Sequence, residues 1–196
     1  MRKGGGKVKG NIFEIEISKK ISLLLSEGER DDILWKSQNS GGRHTTRMKD
    51  GIETYGQDGD LTAVHPNGIL FREIISVEAK HYKDLGLWSL FTETKECLLD
   101  FWKQAYMQGK SAKKIPVLIA KQNFKPVLFV THSLIKQFIY EPKVCEPKSR
   151  FYIPEGPIDI YFFDDFLRIN SHNFLYNIDK MSQQLEQLYM QIYQDI

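Results

Sequence analysis

Residues 59–81 read GDLTAVHPNGILFREIISVEAKH. Leu61–Val64 predicts a strand, His65-Pro66-Asn67-Gly68 carries turn chemistry, and Arg72–His81, rich in Ile and Val, predicts a longer strand. Asp60 stands at the mouth of the first strand. Glu78 and Lys80 lie two residues apart in the second, so both side chains project from one face. Two charged groups on one face of an apolar strand are costly to bury unless they pair or bind something. A divalent cation meets that need. Asp60 and Glu78 offer hard oxygen ligands suited to Mg2+ or Mn2+, and the Lys80 ammonium can orient or activate a water and stabilise charge on a phosphate. Asp58 is a rival ligand, but Asp60 is the one that abuts the apolar strand.

Register tests this pairing. A two-residue hairpin centred on Asn67-Gly68 would put Asp60 opposite Ile75 and leave Glu78 three residues, or about 10 Å, further along. A wider connection over Pro66–Arg72 would bring Asp60 opposite Glu78 instead. Ile69–Phe71 is therefore expected not to continue a simple hairpin.

Working outward, residues 1–10 read as a flexible basic, glycine-rich arm. Asn11 is a candidate helix cap, with Glu14 three residues on in capping-box spacing. Ile12, Phe13, Ile17, Ile21, Leu24 and Leu25 then recur at helical spacing, which predicts a helix over about Ile12–Ser26. Ile33–Lys36 is a short strand candidate, and Gln38–Gly59 a long polar loop. Beyond the central strands, Trp88–Gln108 predicts a helix, Ile115–Ala120 and Pro126–Thr131 two strands, and Ser133–Tyr140 a short helix. Lys143–Pro157 reads as a loop, Ile158–Phe163 as a strand and Asn173–Tyr193 as one long helix. This order suggests an α/β layer structure, with a nuclease-like domain over residues 11–170 and a terminal helical segment over 171–196.

Charge is segregated. Residues 1–50 carry a net +4, 51–98 a net −4, 99–150 a net +7 and 151–196 a net −5, which add to the whole-chain +2. Basic segments thus flank an acidic middle, an arrangement that draws a polyanion to the flanks and a cation to the centre. No apolar run approaches the length of a membrane span, and Asn11–Leu25 lacks the apolar core of a signal peptide. Cys97 and Cys145 suggest neither a disulfide scaffold nor a zinc site, so a cytoplasmic setting is expected.

Gly59-Asp60, then 17 residues, then Glu78-Ala79-Lys80 resembles the signature of PD-(D/E)xK nucleases. Lys9-Gly10-Asn11-Ile12-Phe13-Glu14 resembles the KGxxxE start of the first helix in archaeal-type Holliday-junction resolvases of that superfamily. The resemblance covers about residues 9–131. It implies a restriction endonuclease-like αβββαβ core with a mixed sheet, two-metal hydrolysis of DNA phosphodiester bonds and often a homodimer. By position, Asp60, Glu78, Glu14 and the Ala79 carbonyl take metal-facing roles and Lys80 the lysine role. Gly59 stands where the signature has proline, and residues 132–196 have no counterpart in the minimal core.

Candidate DNA contacts are Lys9, then Ser40, Arg43, His44 and Arg47 in the polar loop, and Gln104, Lys113 and Lys114 on and after the helix that follows the ExK strand. Each has a plainer reading as a solvated surface group or a helix-end cation. In some superfamily members a glutamine at the place of Gln104 supports the site. Ile178, Met181, Leu185, Leu188 and Ile192 are spaced 3, 4, 3 and 4 apart, as in a coiled-coil seam. The seam could pack on the chain's own sheet, but it lies beyond the nuclease core and is acidic, so it is expected to join two copies in a homodimer.

Overall fold

The computed structural model describes residues 5–37, 59–87, 97–139, 146–170 and 174–194. Helix α1 spans Gly5–Leu25. Phe13, Ile17, Ile21, Leu24 and Leu25 are all buried, as their spacing predicts, whereas Ile12, expected in the same row, is exposed. The helix stops where Glu27 and Gly28 take positive φ, and Gly28 N–H donates back to Leu23 O at 2.7 Å. Its start differs from the expectation. Residues 5–10 are helical rather than a loose arm, and Lys9 and Gly10 lie within the helix. Asn11 does not cap it; its side chain accepts from Lys36 Nζ at 3.0 Å.

Two short strands, β1 (Leu34–Lys36) and β2 (Leu61–Ala63), pair antiparallel as a separate ribbon. Ser22 Oγ fixes the ribbon to α1, donating to Ser18 O and accepting from Leu34 N–H, both in buried positions. A 3-10 turn over Pro66–Gly68, capped by His65, leads into α2 (Ile69–Ile74) and directly into β3 (Ile75–Tyr82). Ile69–Phe71 is thus helical and not part of a hairpin, as the register argument required. Arg72–Ile74, expected as the start of the strand, belongs to that helix as well.

The central sheet has five strands in the order β3, β4 (Ile115–Gln122), β5 (Val127–His132), β7 (Gly156–Phe162) and β6 (Ser149–Ile153). The β3–β4 pair is parallel and the remaining pairs are antiparallel, so the sheet is mixed. Between β3 and β4 the chain forms α3 (Cys97–Ala112), which packs Leu98, Trp102, Ala105 and Tyr106 against the sheet. It runs four residues beyond the Gln108 end expected from sequence; the Trp88 start falls outside the described residues. After β5, a 3-10 turn over Ser133–Ile135 passes into α4 (Lys136–Ile139).

The C-terminal part departs most from expectation. Ser149–Ile153, expected within a loop, is an edge strand. Pro147, Pro154 and Pro157 around it give the sequence of a loop, although Phe151, Tyr152 and Ile153 are strand formers; the strand is held by pairing with β7 and by Arg150, which donates to both oxygens of the buried Asp159 at 2.6 and 2.8 Å. The expected terminal helix is two, α6 (Phe174–Gln183) and α7 (Leu185–Gln194), and a further helix, α5 (Phe163–Asn170), precedes them. The break has a packing reason. Phe166 stacks on Phe129 and Phe174 meets Phe71, on the α1 side of the sheet. In α7, Tyr189 Oη and Tyr193 Oη donate to Lys110 O and Lys114 O, and Tyr106 Oη donates to Ile192 O, on the α3 side. Gly109 permits this approach, since a Cβ there would lie 2.4 Å from Tyr193 Oη.

The expected dimer seam is therefore spent inside the chain. Ile178, Met181, Leu188 and Ile192 are buried in the core, with Leu185 packed against it. No helix among the described residues is long and apolar enough to cross a membrane.

Candidate active site

Alternation along β3 sends Val77, Ala79 and His81 toward α1 and Glu78, Lys80 and Tyr82 toward α3. Phe13 contacts the His81 ring at 5.5 Å, whereas Phe101 of α3 contacts Tyr82 and lies under the Lys80 ammonium. Strand β3 is also an edge of the main sheet. Its outer edge is met by the start of β2: Asp60 N–H donates to Val77 O at 2.7 Å, and Ala79 N–H donates to Asp60 Oδ2 at 2.8 Å. Asp60 is thereby set against Ala79, between Glu78 and Lys80. In an extended strand the N–H and C=O of one residue point to the same edge, so the Ala79 carbonyl faces the Asp60 side too.

Gly59 makes this approach possible. It takes φ +90, and a Cβ there would sit 2.6 Å from Val77 O. The proline of the superfamily signature, with φ fixed near −65°, cannot adopt this backbone. The departure from the signature is thus a different local route to the same aspartate.

Asp60 and Glu78 are both buried, at 7% and 2% exposure. Glu78 Oε1 is held by Gln104 Nε2 at 2.9 Å and by an ion pair with Lys80 Nζ. Glu78 Oε2 is buried with no hydrogen-bond partner among the described residues. Burial pushes the Asp60 carboxyl well above the usual carboxylate range; the neighbouring charge of Glu78 pushes the same way, as does that of Glu14, against the lowering effect of the Ala79 N–H. Burial pulls the Lys80 ammonium down, but Glu78 and Asp60 outweigh it, so Lys80 stays charged above its ordinary range.

This is a site short of positive charge. A divalent cation suits the donor set: Asp60, the orphaned Glu78 Oε2 and the Ala79 carbonyl are hard oxygens of neighbouring residues, and Mg2+ commonly takes only one or two carboxylates and keeps water for the rest. Among the described residues no three His, Cys, Asp or Glu side chains are gathered closely enough to cage a metal. The negative charge of Glu14, on α1, acts on Asp60.

The other predicted contacts divide. Lys9 lies on α1 and donates to Asn123 Oδ1 at 3.2 Å, at the end of the sheet toward which Lys80 lies. Gln104, expected as a DNA contact, binds Glu78. Lys114 is buried beneath α7, and both Lys113 and Lys114 precede β4 at the opposite end of the sheet, so neither adjoins the site. Ser40, Arg43, His44, Arg47 and Asp58 lie outside the described residues.

The family model described as "Phage putative PDDEXK endonuclease" matches residues 5–161, which run from α1 through β7. No curated protein and no solved structure matches the chain. The matched stretch includes the edge strand, its aspartate, the ExK pair and the helix carrying Gln104, and on it this chain belongs to the phage PDDEXK endonuclease family.

Proposed function

We propose that this protein is a Mg2+- or Mn2+-dependent endonuclease that hydrolyses DNA phosphodiester bonds at the Asp60–Glu78–Lys80 edge. The observation that carries the reading is the unpartnered Glu78 Oε2, buried beside a second buried carboxylate and a charged lysine. Asp60, Glu78 and the Ala79 carbonyl would hold the cation. When bound, it supplies a polarised phosphate and a more acidic water. Lys80 orients that water and stabilises the negative charge that builds on the phosphate. Gln104 fixes the Glu78 carboxylate, leaving Oε2 turned to the ligand side. Glu14 keeps the negative field that draws the cation.

Branched DNA is a finer reading, supported by the Lys9–Glu14 pattern alone, and that pattern sits inside α1 and not at its start. A homodimer making paired cuts would have to use a face other than the Ile178–Ile192 seam. The test is incubation with supercoiled, linear and four-way-junction DNA in Mg2+ or Mn2+. Asp60→Ala, Glu78→Ala and Lys80→Ala should each lower cleavage by about 100-fold or more. Wild-type cleavage by Lys80→Ala would remove the lysine role. DNA binding with no cleavage in either metal would make the chain a silent member of the fold.

A further inference from the structure

The β4–β5 connection is a tight turn, closed by Lys125 N–H donating to Gln122 O at 3.2 Å. Phe124, its third residue, takes φ +60 and is 101% exposed. That turn position favours Gly or Asn and penalises a bulky side chain. A lone surface hydrophobe is ordinary. One held in a left-handed conformation at a hairpin tip, touching nothing, gains neither packing nor turn stability.

The tip is firmly mounted and basic. Asn123 N–H donates to Tyr82 O at 3.1 Å, and Asn123 Oδ1 meets Lys9 Nζ at 3.2 Å and His81 Nε2 at 3.1 Å. Lys83 and Lys125 are exposed beside it; Asp84 is the nearby acid, and Glu16 is paired with Lys121. Because β3 and β4 are parallel, with Lys80 opposite Ala120, the ring lies four residues past the level of Lys80. That is roughly 13 Å along the strand, or about four base steps of DNA.

We propose that Phe124 is a DNA wedge: its ring stacks on, or enters between, bases about four steps from the phosphate at the Asp60–Glu78–Lys80 edge, while Lys9, Lys83 and Lys125 contact flanking phosphates. This rests on the nuclease reading. Apolar side chains inserted between base steps, set among cations, are a known means of bending or opening a duplex.

The experiment uses the full chain with Ca2+ and duplexes carrying 2-aminopurine at successive positions. Wild type should raise the emission of a probe base on binding. Phe124→Gly should bind roughly five- to a hundredfold more weakly and leave the probe dark. Its melting temperature should be unchanged or higher, because glycine suits the turn. Phe124→Trp should restore the probe signal. Equal binding and equal probe emission in Phe124→Gly would overturn the wedge, and continued cleavage by the wild type would leave the nuclease reading intact. Loss of a dimer in light scattering of Phe124→Gly, with DNA binding unchanged, would reassign the ring to a second copy of the chain. Failure of the wild type both to bind and to cleave would overturn both readings.

Discussion

Gln104 Nε2 donates to Glu78 Oε1, the same oxygen that pairs with Lys80. The helix amide and the strand ammonium together restrain one side of the carboxylate and leave the other open. Gln104→Ala should lower cleavage about 10- to 100-fold, with most of the loss recovered at high Mg2+. Rates measured across a metal titration check this. An unchanged titration would mean that Lys80 alone holds Glu78.

Asp60 links the site to stability. Its carboxyl is raised above its unfolded value, so its contribution favours the folded chain fully below about pH 4 and is lost as pH rises through the folded value. In EDTA at neutral pH, Asp60→Asn should therefore melt higher than wild type, and the difference between the two should shrink toward pH 4. Asparagine can still accept the Ala79 N–H. Mg2+ at about 100 times its Kd should stabilise wild type by about 2.7 kcal/mol, or roughly 5–10 °C, and Asp60→Asn far less. Calorimetry with and without metal decides it.

Gly59→Pro recreates the Pro-Asp of the superfamily signature yet should be harmful. At φ +90 any side chain is strained, and Cβ would strike Val77 O. A loss of roughly 2–4 kcal/mol is expected, with cleavage falling because Asp60 leaves the edge of β3. Gly59→Ala should show the same effect in milder form. Chemical denaturation and cleavage rates on the same preparations test both.

The terminal helices are structural. Tyr193→Phe removes the donor to Lys114 O and should cost about 1 kcal/mol, or roughly 2–4 °C. Leu188→Ala, at a fully buried position, should cost about 2–5 kcal/mol. A chain ending at Asn170 should lose cooperative unfolding instead of yielding a tidy monomer. A sharp, unchanged melting transition in that chain would refute the assignment.

Asp159 offers a control distant from the chemistry. Burial would raise it, but Arg150, Ser133 and Tyr161 hold it below the usual range. Its stabilising effect is thus present above about pH 4 and lost as pH falls through the depressed value. Asp159→Asn should cost about 1.5–3 kcal/mol at neutral pH. Cleavage per folded molecule should be unchanged, since β4 and β5 separate β7 from β3.

The elements legible in the sequence are those whose pattern and environment agree. Helix α1 announces itself through Phe13, Ile17 and Ile21, and β4 and β5 through unbroken apolar runs buried on both faces. The Glu78–Lys80 pair was visible because charges in an Ile/Val strand conflict with burial. Strand β6 was hidden because Pro147, Pro154 and Pro157 around Ser149–Ile153 read as a loop, while the strand partner and the bidentate ion pair that hold it are not written in the local sequence. The division of the last helix was hidden too. Ile178 to Ile192 keeps one periodicity while its two halves serve opposite faces of the sheet, a tertiary choice that helical spacing does not encode. Gln104 lay on a helix of the right period, but only geometry shows that it reaches Glu78.

Ser37 N–H donates to Asp60 O at 2.8 Å, so the stretch between them leaves and rejoins the ribbon at one point, beside the Asp60 carboxylate. The ends are clasped by β1–β2 pairing and the Asp60 carboxylate by β3, independently of what lies between. Doubling the length of such an excursion adds only about 0.6 kcal/mol of closure entropy. The placement of Asp60 thus rests on contacts made by Ser37, Asp60 and Ala79 themselves.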